Sequence, residues 1–246
     1  MKKKYKIKGL VIILALTILS MGAGNHMAWT YVITNTSSGD PYTTPWKYDN
    51  AWEIWSYFIN AGCTEEAAAG ILGNMTYEGT LNPGQIEIGH DPNDPQSGRG
   101  LIGWTPGTKI INYATSVGGN WYDGNIQCQF IDQQPSQNFL PNAAAGYNYS
   151  WSEFKHITNV ADAALAFLFE AERPADQGAA QKQRRIEAAQ IWYDQFHGQT
   201  VEPTPPVTPP SPGPTPTPSP TPRPPGTMDM KLLGGRDVMR RIWFKR

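Results

Sequence analysis

Apolar side chains recur at helical spacing through most of residues 45–198, and the pattern changes character once, between Leu81 and Leu101. Ala51, Trp52, Ile54, Trp55, Phe58 and Ile59 form one stripe, with Asn50 placed to cap that helix and Gly62 to stop it. The apolar run from Ala67 to Tyr77 predicts a second helix. It starts at Thr64, whose hydroxyl can cap it, and ends at Glu78; Glu65 and Glu66 complement its positive end. Turn signals then dominate, at Asn82-Pro-Gly84, Asp91-Pro-Asn-Asp-Pro95 and Ser97-Gly-Arg-Gly100, while the short Gln85 to Ile88 alternates as a strand does. A loop or small hairpin is expected there. Helices resume at about 107–117, 124–134, 159–172 and 175–197, with the Ala- and Phe-rich Val160 to Phe169 as core. The expected fold is mainly α, of α+β type, with a short loop or hairpin lobe after the second helix.

Glu78 stands out because Ile71, Met75 and Glu78 fall at i, i+4 and i+7, so its carboxyl shares a stripe with core residues. The negative end of a helix opposes an ionised Glu, and partial burial opposes it further, so both effects raise its pKa. A carboxylic acid that stays protonated near neutral pH suits general acid catalysis of glycoside cleavage. An exposed Glu at a frayed helix end is the alternative. Such cleavage also needs a group on the other face of the sugar, and Glu87, Asp91 and Asp94 lie in the turn-rich segment after the helix. A carboxyl separation of roughly 5 Å would predict retention, and roughly 6.5 to 9.5 Å inversion. Solvated turn chemistry is the competing role for all three acids.

Composition divides the chain. Met1 to Lys8 carries five Lys and no acid, and the uncharged apolar Gly9 to Gly24 comes next. Residues 1–27 therefore read as a secretory signal, or as an uncleaved N-terminal membrane anchor, and the remainder of the chain is expected outside the cytoplasm, secreted or held at the cell wall. Val201 to Gly226 holds 13 Pro, so residues 199–226 read as a disordered, semi-rigid Pro/Thr-rich linker. Residues 227–246 form a short tail of formal charge +4, able to contact anionic wall polymers or lipid, or else an unstructured end. Ala28 to Gly198 carries about −10, which argues against nucleic-acid binding. Cys63 and Cys128 are the only cysteines; an even count in an exported chain suggests one disulfide, with two free buried thiols as the alternative. The four His show no metal spacing and no phosphate loop appears, so neither metal nor cofactor is expected.

Several blocks in order carry a family resemblance: Gly70-Ile-Leu-Gly-Asn-Met-Thr-Tyr-Glu78, Leu81-Asn-Pro-Gly84, Gly98-Arg-Gly-Leu-Ile-Gly-Trp-Thr-Pro-Gly-Thr-Lys-Ile110 with Tyr113-Ala114, and Phe169-Glu-Ala-Glu-Arg-Pro174. Over residues 48–197 the chain resembles the phage tail lysozyme family, within the lysozyme-like superfamily. The resemblance implies peptidoglycan as substrate, Glu78 as catalytic acid, and a sugar cleft lined by Gly100 to Thr105, including Gly100, Leu101, Trp104 and Thr105. Gly103 departs from the Gln that many relatives place before the Trp, and Gly79 from the Ser that often follows the Glu. Tyr77 and Trp104 could stack on pyranose faces or sit in the core. Glu172 and Arg173 are expected to form an ion pair that supports the catalytic helix. The expected activity is hydrolysis of the bond from N-acetylmuramic acid to N-acetylglucosamine. A lytic transglycosylase leaving anhydromuramic ends, or a wall-binding or assembly module without turnover, are the other readings.

Overall fold

The computed structural model describes residues 29–203, and the helix that carries Glu78 lies at its centre. Helix α1 spans Pro45–Asn60 and α2 spans Glu65–Glu78. After a loop lobe come α3 Thr108–Ser116, α4 Gly124–Gln133, α5 Pro135–Asn138 and α6 Trp151–Phe154. Helix α7, Val160–Phe167, runs directly into a π-helical turn, Leu168–Glu172, and α8 covers Ala179–Phe196. The domain is mainly helical, as the sequence predicts.

Helix α2 begins as the sequence predicts, with the Thr64 hydroxyl accepting from the Ala67 amide at 3.1 Å. Every residue from Ala67 to Thr76 is buried, because α7 and α8 pack on α2 and α1 closes another side. Two glycines permit that approach. A methyl group at Gly70 would stand 2.6 Å from the backbone of Ala163, and one at Gly73 would stand 2.6 Å from the Arg185 carbonyl oxygen. Most polar groups inside this contact are paired, the Asn74 side-chain carbonyl oxygen and Arg185 Nε being left without a partner. Asn74 donates to the Gly70 and Ala164 carbonyls, and the Thr76 hydroxyl accepts from the Trp192 indole.

Asn50 is not a cap. Helix α1 starts earlier, with Pro45 in its first turn, and Asn50 is buried mid-helix. Its side-chain amide donates to Thr30 and Leu81 carbonyls and accepts from the Thr30 amide, fastening the N-terminal segment and the chain beyond α2 to α1. Lys47, fully buried, donates to the Gly39 carbonyl at 2.6 Å and so fixes the segment before α1. Helix α8 begins four residues later than expected, since Asp176 caps a turn at the Gly178 amide.

The loop lobe is less regular than a hairpin. Isolated bridges link Thr34 with Gln85, Ile86 with Arg99, and Arg99 with Trp104. Buried Arg99 is its hub: the guanidinium donates to the Pro92 and Asp94 carbonyls at 2.8 and 2.9 Å and stacks over Trp121.

The expected disulfide is corrected. Cys63 and Cys128 are free, buried thiols. Both lie in the apolar core, where burial opposes the thiolate and pushes the Cys63 thiol up to about 12. The segments expected as signal or anchor (1–27) and tail (227–246), and the linker beyond residue 203, lie outside the described residues. No helix among the described residues is long and apolar enough to cross a membrane.

Gly73→Ala should destabilise the protein by about 1–3 kcal/mol, because the new methyl must displace backbone rather than a side-chain tip. Urea unfolding of the full chain checks it, with an unchanged midpoint contradicting the tight α2–α8 contact.

Candidate active site

Glu78 is the last residue of α2, at its negative end, with Gly79 as C-cap. The Gly79 amide donates to the Leu101 carbonyl at 3.1 Å, and the Leu101 amide donates to the Gln127 side chain at 2.8 Å. A side chain at Gly79 would collide with the backbone of Gly100 and Leu101 at 2.6 Å, so the lobe closes directly onto the helix end. One carboxyl oxygen of Glu78 contacts the Arg185 guanidinium. Arg185 is 3% exposed and the Glu78 side chain 26%, so the base is interior while the acid reaches the surface. Burial raises the Glu78 pKa and Arg185 lowers it; burial prevails, and the net shift is upward.

A second carboxyl interacts electrostatically with this pair. Glu172 ends the π-helical turn, and its Oε1 is fully sequestered without a hydrogen-bond partner, although the residue as a whole is partly exposed. Burial and the negative charge of Glu78 push its pKa well up, against the pull of Arg185. The expected Glu172–Arg173 ion pair does not form. Arg173 takes a left-handed backbone conformation, φ +53°, and sends its guanidinium to the Leu140 and Pro141 carbonyls instead. Arg185 thus joins the site without having been singled out, and Glu172, expected only as half of a supporting ion pair, interacts with Glu78 through charge. One signal was available for Arg185: it falls in phase with Ala188, Ala189, Trp192 and Phe196 on the buried stripe of α8.

The other acids are placed unequally. Asp91 accepts from the Asn93 amide and Asp94 from the Gln96 amide, so both carboxylates cap their own exposed turns. Glu87 approaches the site more nearly. Its Oε2 accepts from the Gly98 amide at 3.1 Å, beside the loop whose Gly103 faces Glu78. A methyl at Gly103 would lie 3.8 Å from Glu78 Oε2, an ordinary contact, so glycine there leaves the outer side of the acid open.

The expected cleft lining needs correction. Gly100 and Leu101 are buried and clamp the end of α2, and Trp104 is 4% exposed. Its indole donates to Asn138 at 2.8 Å and its ring packs on Phe130. These residues anchor the loop and present no sugar platform; Gly103 and Thr105 are its outward-facing members. Tyr77 is 42% exposed and lies under the Arg185 guanidinium at 5.0 Å. Tyr42 stacks on Trp192 with its centroid 5.5 Å away and remains partly open to solvent. Tyr77 also acts electrostatically on Tyr42, so the two phenols are neighbours, of which only Tyr77 was expected at the site. A separate groove of about 570 Å³, lined by α3 residues such as Lys109 and Tyr113 and by Gln133, Gln134 and Gln137, does not include Glu78. Among the described residues no group of three or more His, Cys, Asp or Glu could hold a metal ion.

This mainly helical fold is that of a lysozyme-like protein. Residues 49–196 match the phage tail lysozyme family, and the chain belongs to it. It is also similar to morphogenesis protein 1 of Bacillus phage B103, with 30% identity over 153 residues, 61% of this chain. The match takes in 40% of that relative's length.

Glu170, two residues before Glu172, adds a test of how burial acts here. Its Oε1 accepts from the Tyr149 amide, yet burial pushes its pKa up to about 7. A carboxyl with a raised folded-state pKa stabilises below its unfolded value and loses that contribution as pH rises through the folded value. Glu170→Gln should therefore gain stability relative to the parent between pH about 4.5 and 7 and hold the gain above that. Melting temperatures across this range check it; a difference independent of pH contradicts it.

Proposed function

We propose that the protein is a peptidoglycan hydrolase that cuts the bond from N-acetylmuramic acid to N-acetylglucosamine, with Glu78 as general acid. The carrying observation is the Glu78 carboxyl itself, which burial inclines to hold a proton while one side stays open to solvent. Membership of a lysozyme family supports sugar-chain cleavage, and the outward aromatic flank of Tyr42 and Tyr77 suits the apolar faces of pyranoses. Glu78 protonates the departing glycosidic oxygen as the bond to the muramic carbon breaks, and its new carboxylate is held by Arg185. Water adds to the oxocarbenium-like carbon, and the proton it releases restores the acid.

Of the three loop acids, Glu87 lies beside the loop that carries Gly103, its carboxylate accepting from the Gly98 amide and pairing with His90, whereas Asp91 and Asp94 cap their own turns. That engagement also favours a second reading, a lytic transglycosylase, in which the muramic 6-hydroxyl closes on the same carbon and no second carboxylate is needed. A wall-binding module would leave Glu78 idle. Action on peptidoglycan implies work outside the cytoplasm, which fits the basic and apolar N-terminal sequence.

The full-length protein and Glu78→Gln should be incubated with insoluble peptidoglycan and the released muropeptides identified by mass spectrometry. Reducing muramic ends are expected from the parent, with a loss of about 10²–10⁴-fold in the variant. Anhydro ends would establish the transglycosylase, and no release by either protein would favour the binding module. Among single substitutions of Glu87, Asp91 and Asp94 to their amides, only that of Glu87 should slow hydrolysis.

A further inference from the structure

The groove of about 570 Å³ between α3 and the corner where α4 meets α5 takes no part in the reaction at Glu78. Its size suits a small molecule or a short stretch of chain. Much of its lining is amide: Asn112, Gln133, Gln134 and Gln137 line it with Tyr113, whose ring stacks on Phe130 at 4.5 Å. The side-chain oxygens of Gln133 and Gln134 accept from Gln129 and Gln137, which leaves both amino groups without a partner among the described residues. Lys109 is the sole charged residue of the lining, and no acid among the described residues pairs with it, although the domain as a whole is acidic. It stands in the first turn of α3, which holds no acid and whose cap, Gly107, offers no side chain, so the positive helix end adds to the lysine. Asp132, the acid that acts on Tyr113, is taken up by Lys155 and the Trp151 indole.

The groove adjoins the acid through one side chain. Phe130 forms part of its wall and packs at 5.5 Å on Trp104, the neighbour of Gly103, which faces Glu78. Asn138 locks that partition, accepting from the Trp104 indole and donating to the Phe130 and Gln134 carbonyls. Thr108, at the groove, follows Gly103 by five residues, so at most about 18 Å separates them. We propose that the groove binds the carboxylate-bearing peptide carried by muramic acid: the amides pair with its backbone, and Lys109 with the α3 N-terminus takes a carboxylate. The inference rests on the reading of peptidoglycan as substrate. A muramic residue bound at Glu78 has its peptide within a few extended residues of Lys109. In such a strand the lactyl carboxyl is consumed in the amide to the peptide, so the carboxylates are those of the peptide and Lys109 selects it over the sugars. Contacts away from the reacting atoms are shared by ground and transition states, so they act on KM rather than kcat.

The test compares kcat and KM of the full chain and Lys109→Glu on solubilised peptide-bearing strands, with the peptide carboxylates free and after their amidation. The parent should favour the free carboxylates through KM, and Lys109→Glu should shrink that preference about fivefold. A parent without preference overturns the inference. So does a variant that slows both substrates alike, which is the mark of a structural role or of a sugar subsite. If the parent cuts no strand, the functional reading fails, and a binding measurement still decides the groove. The ¹⁵N-labelled full chain is titrated with N-acetylmuramyl-alanyl-glutamate, with its diamide and with chitotetraose. The side-chain amide signals of Gln133 and Gln134 should move with the acid peptide, and the diamide should need about fivefold more ligand for the same shift. Signals that respond equally to the diamide, that respond only to chitotetraose, or that stay still throughout overturn the assignment.

Discussion

Arg185 brings a full positive charge into an almost dry contact between α2 and α8, and the rest of the site is arranged around that fact. A buried guanidinium without a counter-charge costs several kcal/mol, so Glu78 is drawn to it. The same burial resists ionisation of the carboxyl, and the two influences leave Glu78 poised rather than fixed in either form. This arrangement requires the helices to approach closely, which Gly73 permits by standing against the Arg185 backbone. Packing in the core therefore sets the electrostatics at the surface.

The lobe after α2 serves the same end. Its turns enclose Arg99, its backbone closes on Gly79, and Trp104 is tied through Asn138 to the end of α5. What it presents near the acid is small: Gly103, with Thr105 beyond it. The exposed aromatic surface comes from Tyr77 on α2 and Tyr42 before α1.

Features written in local chemistry were legible in the sequence. The α2 start needed only Thr64 and its third neighbour, and the acid at its end needed only helical phase. Features that depend on distant partners were not. Asn50 looks like a cap until Thr30 and Leu81, 20 and 31 residues away, claim its amide. Trp104 sits in a Gly-rich stretch that suggests exposure, and its indole partner lies 34 residues on. Arg185 is 107 residues from Glu78 and directly follows the exposed Arg184, so a polar helix face conceals it. Glu172 and Arg173 adjoin in sequence, which suggests a pair, but Arg173, in a left-handed turn, gives its guanidinium to the Leu140 and Pro141 carbonyls.

The central claim is that burial beside Arg185 keeps Glu78 able to hold a proton beyond the ordinary carboxylate range. The ¹³C carboxyl resonance of Glu78, tracked against pH in the uniformly glutamate-labelled protein, measures this without substrate. The structure predicts a midpoint above the usual Glu value of about 4.5. A single transition at or below that value would contradict it, and would make Glu78 a plain ion-pair partner of Arg185.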